Sequence, residues 1–158
     1  MSMHFHYAPW SYLRRIVDSG MLLPSNAGAP DEPCLLWFSA HQQWEPTASK
    51  LWTKGGATVR LTFRQQEEKV GCMRFGLKAN DPRLLSWEEA CRYAGIPRAE
   101  RRNLEAVGRR LGANPAHWFA STLPVQLRDL DLQVWVDGWK RSDDPEGMAQ
   151  AFESRTAA

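Results

Sequence analysis

No apolar run in this chain approaches the length needed to cross a bilayer, so a membrane-spanning segment is not expected. The first residues lack a basic stretch followed by an apolar one, so no signal peptide is expected either. Cysteine is scarce: Cys34, Cys72 and Cys91 are an odd number at wide spacing. They form no C-x-x-C pair, which argues against a zinc ribbon and against a disulfide framework. A reducing cytoplasm is the simplest setting for them. The four histidines, His4, His6, His41 and His117, show no H-E-x-x-H or similar spacing, so no metal site is expected. G-x-G-x-x-G, Walker and G-x-S-x-G motifs are all missing, which removes the usual phosphate cradles and the nucleophile elbow. Excess charge is small too: net +2 over 158 residues does not by itself imply nucleic acid.

What is present is a globular composition, 43% hydrophobic and 24% charged, in a length that fits one domain. Eight tryptophans (10, 37, 44, 52, 87, 118, 135 and 139) are many for this length. Each can fill a core or offer a flat stacking surface.

Met3 to Tyr7 alternates as a half-buried strand does, with His4 and His6 facing one way and Phe5 and Tyr7 the other. Pro9 ends it. Ser11 is the expected cap of a helix carrying Leu13, Ile16 and Val17 and closed by Gly20. Residues 24–33 read as a loop, "CLLWFSA" (34–40) as a strand, and Thr47–Trp52 as a short helix after Pro46. "TVRLTFR" (58–64) alternates, with Val59, Leu61 and Phe63 on one face. With a polar turn at 67–69 and "VGCMRFGL" (70–77), it predicts a hairpin. Ser86 and Glu89 form a capping box for a helix ending at Gly95. Pro97 opens a second helix with Leu104, Val107 and Leu111 inward and arginines 98, 101, 102, 109 and 110 on a mixed polar face. Asn114-Pro115 starts a short third helix, Leu130–Val136 is the last strand, and Gly138 a turn. The expectation is a single α+β domain over 1–140, followed by a polar tail over 141–158 that frays or lies on the surface.

Three pieces stand in a suggestive order: "HY" at 6–7, "WFS" at 37–39 and "DLQVW" at 131–135. Together with the intervening "SG-x-L-x-P-S" they resemble the ADP-ribosyltransferase-like superfamily of His-Tyr-Glu type. "WFSAHQQWEPTASKLW" is similar to the matching region of small bacterial members that modify rifamycin drugs. The resemblance covers about the first third of the chain plus 131–139; residues 78–120 match no motif of the family.

The resemblance implies a split antiparallel β-sheet core with peripheral helices. It also implies a cytoplasmic, toxin-like glycosyltransferase that uses NAD as substrate, releases nicotinamide and passes ADP-ribose to an acceptor. The family's residues would then map as follows: His6 donates to ribose hydroxyls, Trp37 (or Phe38) stacks on nicotinamide, Ser39 holds the nicotinamide ribose, and Arg14 or Arg15 meets the pyrophosphate. Tyr7, facing the other way, would pack in the core. The sequence departs from the family at three points. Trp37 stands in the place of the Tyr. Ala8 replaces the usual Thr, and the late strand has no Glu. Asp131 and Gln133 are the nearest substitutes, and Glu45, just after the second strand, is a further candidate. Glu45 can equally be an acid at a helix start before Pro46. Without the late-strand Glu, a non-catalytic binding protein of the same fold stays open. So does an RNA 2′-phosphotransferase using Arg60, Arg64 and Arg74 for phosphate.

Overall fold

The alternation at the start of the chain forms a strand, β1 (Met3–Ala8), and that strand is central to the molecule. The computed structural model describes residues 1–26 and 30–158. Part of the expected 24–33 loop therefore falls at 27–29, outside the described residues. After β1 come α1 (Leu13–Ser19), β2 (Met21–Leu22), β3 (Leu36–Ser39), β4 (Leu51–Lys54), β5 (Ala57–Arg60), α2 (Phe63–Lys69) and β6 (Met73–Lys78). Next are β7 (Leu85–Ser86), α3 (Trp87–Ala94), α4 (Arg98–Arg110), β8 (Trp118–Ser121) and β9 (Val125–Gln126). The chain closes with β10 (Asp131–Trp135), β11 (Trp139–Arg141) and α5 (Pro145–Ala157).

Seven strands form one sheet in the order β11-β10-β6-β1-β3-β8-β7. Every neighbouring pair in it is antiparallel. The β2-β9 and β4-β5 pairs stand apart from it. With five α-helices among the described residues beside the large antiparallel sheet, the fold is α+β. The main core lies on one face of the sheet, where Phe38, Met73, Phe75, Leu77, Leu132 and Val134 meet Leu13 of α1 and Phe152 of α5.

Several elements differ from expectation for local reasons. The stretch at 58–64 is divided between β5 and α2. Thr62 caps Gln65 while the Gln65 side chain returns to the Thr62 N–H, so a capping box starts a helix where alternation predicted strand. Residues 67–69 therefore belong to α2 rather than to a turn. β6 pairs with β1 and β10, and the nearby hairpin is β4-β5 instead. Ser11 caps nothing; it lies in a 3-10 turn, Trp10–Tyr12, entered from Pro9. Residues 145–157 are not a loose tail, because α5 buries Ala149 and Phe152. Asp144 caps that helix through the Gly147 N–H at 2.9 Å.

The sheet parts between β1 and β3. Their only register pair is Phe5 with Ser39, whereas β1 and β6 stay paired over six residues. Past Phe5 the two strands diverge, and the space between them becomes the mouth of a cavity.

Candidate functional site

The cavity holds about 470 Å³, within the range of small-molecule sites. β1 contributes His6 and Tyr7, and β3 contributes Trp37, Phe38 and Ser39. Glu45 and Lys50 come from the following loop, Arg60 from the end of β5, and Leu104 and Val107 from α4. Trp87 and Trp118 close the aromatic wall: Trp37 lies 5.8 Å from Trp87 between ring centroids, and Trp87 lies 5.1 Å from Trp118, edge to face.

His6 occupies the parting of the strands. Continued pairing would set Tyr7 opposite Trp37; instead the His6 imidazole Nδ1 lies 2.8 Å from the Trp37 carbonyl. A carbonyl only accepts, so Nδ1 carries the proton and Nε2 of the neutral ring is an acceptor. The nitrogen left free is therefore an acceptor, not the donor that the family resemblance implies. Burial pushes the imidazole down to about 4; the Trp37 hydrogen bond opposes this and the Lys50 charge adds to it. The unfolded ring would protonate near 6.5, so the unfolded chain binds more protons between about pH 6.5 and 4. His6 thus stabilises the fold above that window, and the contribution is lost as pH falls through it. Up to ~3 kcal/mol is at stake at about 1.4 kcal/mol per pH unit. Urea midpoints at pH 7 and 4.5 should differ less in His6→Asn, whose amide can replace the Nδ1–H, than in the parent. Equal acid losses in both would refute this assignment.

Glu45 is buried at 5% exposure and every contact it makes is from a donor. Ser39 Oγ donates to Oε2 at 2.7 Å. Thr47 donates to Oε1 from its hydroxyl at 2.6 Å and its backbone N–H at 3.2 Å, and Trp118 Nε1 donates to the same oxygen at 3.2 Å. Both sequence readings of Glu45 meet here: the carboxylate caps the 3-10 turn at Pro46–Ala48 and also sits beside Ser39 in the cavity wall.

The remaining sequence candidates lie elsewhere. Asp131 pairs with Arg141 at 3.5 Å and lines a separate groove with Arg128 and Asp143. Gln133 accepts from Arg74 Nε at 2.8 Å. Arg74 is itself buried between the rings of Phe5 and Trp139, at 3.7 and 4.2 Å, and donates to the Gln42 carbonyl at 2.8 Å. Trp139 Nε1 donates to the Gln43 carbonyl at 2.7 Å. Gln133 therefore acts on the loop that carries Glu45 without reaching the cavity. Arg14 is held by Glu146 and Glu153 at 2.9 Å each, tying α1 to α5; these carboxylates raise its pKa. Of the arginines considered for RNA phosphate, only Arg60 lines the cavity; Arg64 pairs with Glu68 at 3.1 Å.

The cavity face also corrects the sequence reading of β1. His4 and Ala8 face the core side with Leu77 and Met73, and Phe5 and Tyr7 face the side of Gly76 and Arg74. His6 reaches the cavity only because the strands part beside it. Lys50, Trp87 and Trp118 were not singled out by sequence reasoning, and the abundance of tryptophan was the only signal for the last two.

Among the described residues no helix is long and apolar enough to cross a membrane, and no group of three or more His, Cys, Asp or Glu side chains could hold a metal ion. No family model, curated protein or solved structure matches the chain.

Proposed function

We propose that the cavity binds NAD and that the protein is an ADP-ribosyltransferase-like enzyme that breaks the nicotinamide–ribose bond. The observation that carries this reading is the convergence of His6, Trp37, Ser39 and Glu45 on one cavity where the sheet parts. Trp37, 40% exposed, offers an indole face to nicotinamide. His6 Nε2 accepts from a ribose hydroxyl. Lys50 and Arg60 supply positive charge for the diphosphate. As the C1′–N bond breaks, its electron pair leaves with nicotinamide and the ribose becomes an oxocarbenium ion. A carboxylate fixed in advance stabilises that charge without reorganising. In this reading Glu45 is that group, because Asp131 and Gln133 lie outside the cavity. The acceptor's nucleophile then bonds to C1′ and gives up its proton.

One observation favours a second reading, a binding protein without cleavage: Glu45 already accepts four hydrogen bonds. Two measurements separate the readings. Millimolar NAD should raise the melting temperature by mass action, and nicotinamide should appear in solution. Glu45→Gln should keep the thermal shift and lose at least 100-fold in nicotinamide release. A shift without any release supports the binding protein, and no shift at all rejects both.

A further inference from the structure

Apart from Arg60 at its base, the β4-β5 hairpin takes no part in the cavity. All ten residues from Leu51 to Arg60 are exposed, including Leu51, Trp52 and Val59, and among the described residues β4 and β5 pair only with each other. A lone two-stranded hairpin is marginal in water, so one exposing apolar side chains on both faces has surface available for a partner.

The hairpin is also where the chain's charge imbalance arises. Between Glu45 and Glu67 there is no acidic residue, but there are Lys50, Lys54, Arg60 and Arg64. The whole chain has 20 Lys and Arg against 18 Asp and Glu, so outside this segment 16 face 18 and the balance turns acidic. Strand alternation sets Trp52 and Lys54 on one face of β4. Lys50 directly precedes the strand, and its carbonyl accepts from the Leu61 N–H at 2.9 Å, so it continues the spacing into a cation-indole-cation row. Lys69 of α2 adds a fourth group from below, its Nζ 5.2 Å from the Trp52 ring. Among the described residues Lys50, Lys54 and Lys69 have no ion pair. At its root the row enters the cavity, because Lys50 and Arg60 line both hairpin base and cavity wall.

We infer that the β4-β5 hairpin is a docking arm for single-stranded nucleic acid, leading one nucleotide toward the cavity. Alternating charge and indole suits such a strand: phosphates meet the lysines while a base stacks on Trp52. A duplex would offer no free base face to that indole. An acidic protein surface would satisfy the lysines but would leave Trp52 without a stacking partner. The transfer of ADP-ribose to that strand rests on the NAD reading; the docking itself does not.

The test is fluorescence anisotropy with a labelled twelve-nucleotide oligo(dT) and its RNA counterpart, on the full chain, from 50 to 300 mM salt. Three lysine–phosphate contacts predict a log–log salt slope of about −2. Trp52→Ala should weaken binding about tenfold or more, and Lys54→Glu, which removes no packing, by a similar factor. Absence of binding at 50 mM salt overturns the inference, as does binding that neither variant changes. Equal competition by polyglutamate of matched charge also overturns it, in favour of an acidic protein. The NAD thermal shift on the same sample separates the two proposals. Oligonucleotide binding without an NAD shift leaves the arm and removes the dinucleotide site, and the converse leaves only the cavity.

Discussion

Glu45→Ala is expected to cost the fold about 3–5 kcal/mol, read as a lower urea midpoint at unchanged slope. The cost arises from the carboxylate's surroundings. Four donors converge on it in a place that is 5% exposed, and alanine would leave the Trp118 indole N–H and both Thr47 donors without an acceptor. Each buried donor left unpaired costs about 1–3 kcal/mol. Ser39 suffers less, since its hydroxyl still accepts from the His41 N–H at 3.1 Å. Glu45→Gln should lose only about 1 kcal/mol, because one amide oxygen keeps the three Oε1 contacts and the NH₂ can donate to Ser39. A midpoint for the alanine variant within error of the parent would show that these hydrogen bonds are not made in solution.

Gly71→Ala should cost about 3 kcal/mol or more, for two separable reasons. Gly71 has φ +74°, a left-handed conformation that costs a residue with a Cβ about 1–2 kcal/mol. The added methyl would also fall within the indole of Trp10, which lies directly against the glycine. Trp10 has little room to retreat. Its ring is stacked on Phe152 of α5 at 4.2 Å with the rings 3° from parallel, and its backbone N–H, donating to the Val70 carbonyl at 3.1 Å, fixes the main chain beneath the ring. Overpacking of this kind adds about 1–3 kcal/mol. A double-mutant cycle separates the terms: in a Trp10→Ala background, Gly71→Ala should cost only the backbone part, about 1–2 kcal/mol. Equal costs in both backgrounds would mean that Trp10 does not press on Gly71.

Legibility varied with how local the governing interaction is. β1, β3 and β10 were readable because each alternates or runs apolar over a few residues, and α3 because Ser86 and Glu89 cap it. Two local signals competed at 58–64, and the Thr62–Gln65 cap prevailed over alternation. α5 was missed because its sequence is polar and it contributes little more than Ala149 and Phe152 to the interior. At the cavity, His6, Trp37, Phe38, Ser39 and Glu45 come together because β1 and β3 are neighbours. Asp131 does not join them, since β6 and β1 stand between its strand and β3. Spatial strand order is not written in periodicity, and neither is the parting of the sheet, which depends on pairing that stops.

The strand order also governs when the molecule can be finished during synthesis. β6 is made early, yet its outer edge is covered only by β10, and α1 meets its partner helix only in α5. A nascent polypeptide that has reached only residue 130 therefore carries an unpaired edge at Met73–Lys78 and an uncovered Leu13 surface. An exposed strand edge of that kind is a template for pairing between chains. Residues 131–158 thus close that edge and cover Leu13, and a polypeptide cut before them is expected to aggregate rather than to form a smaller domain.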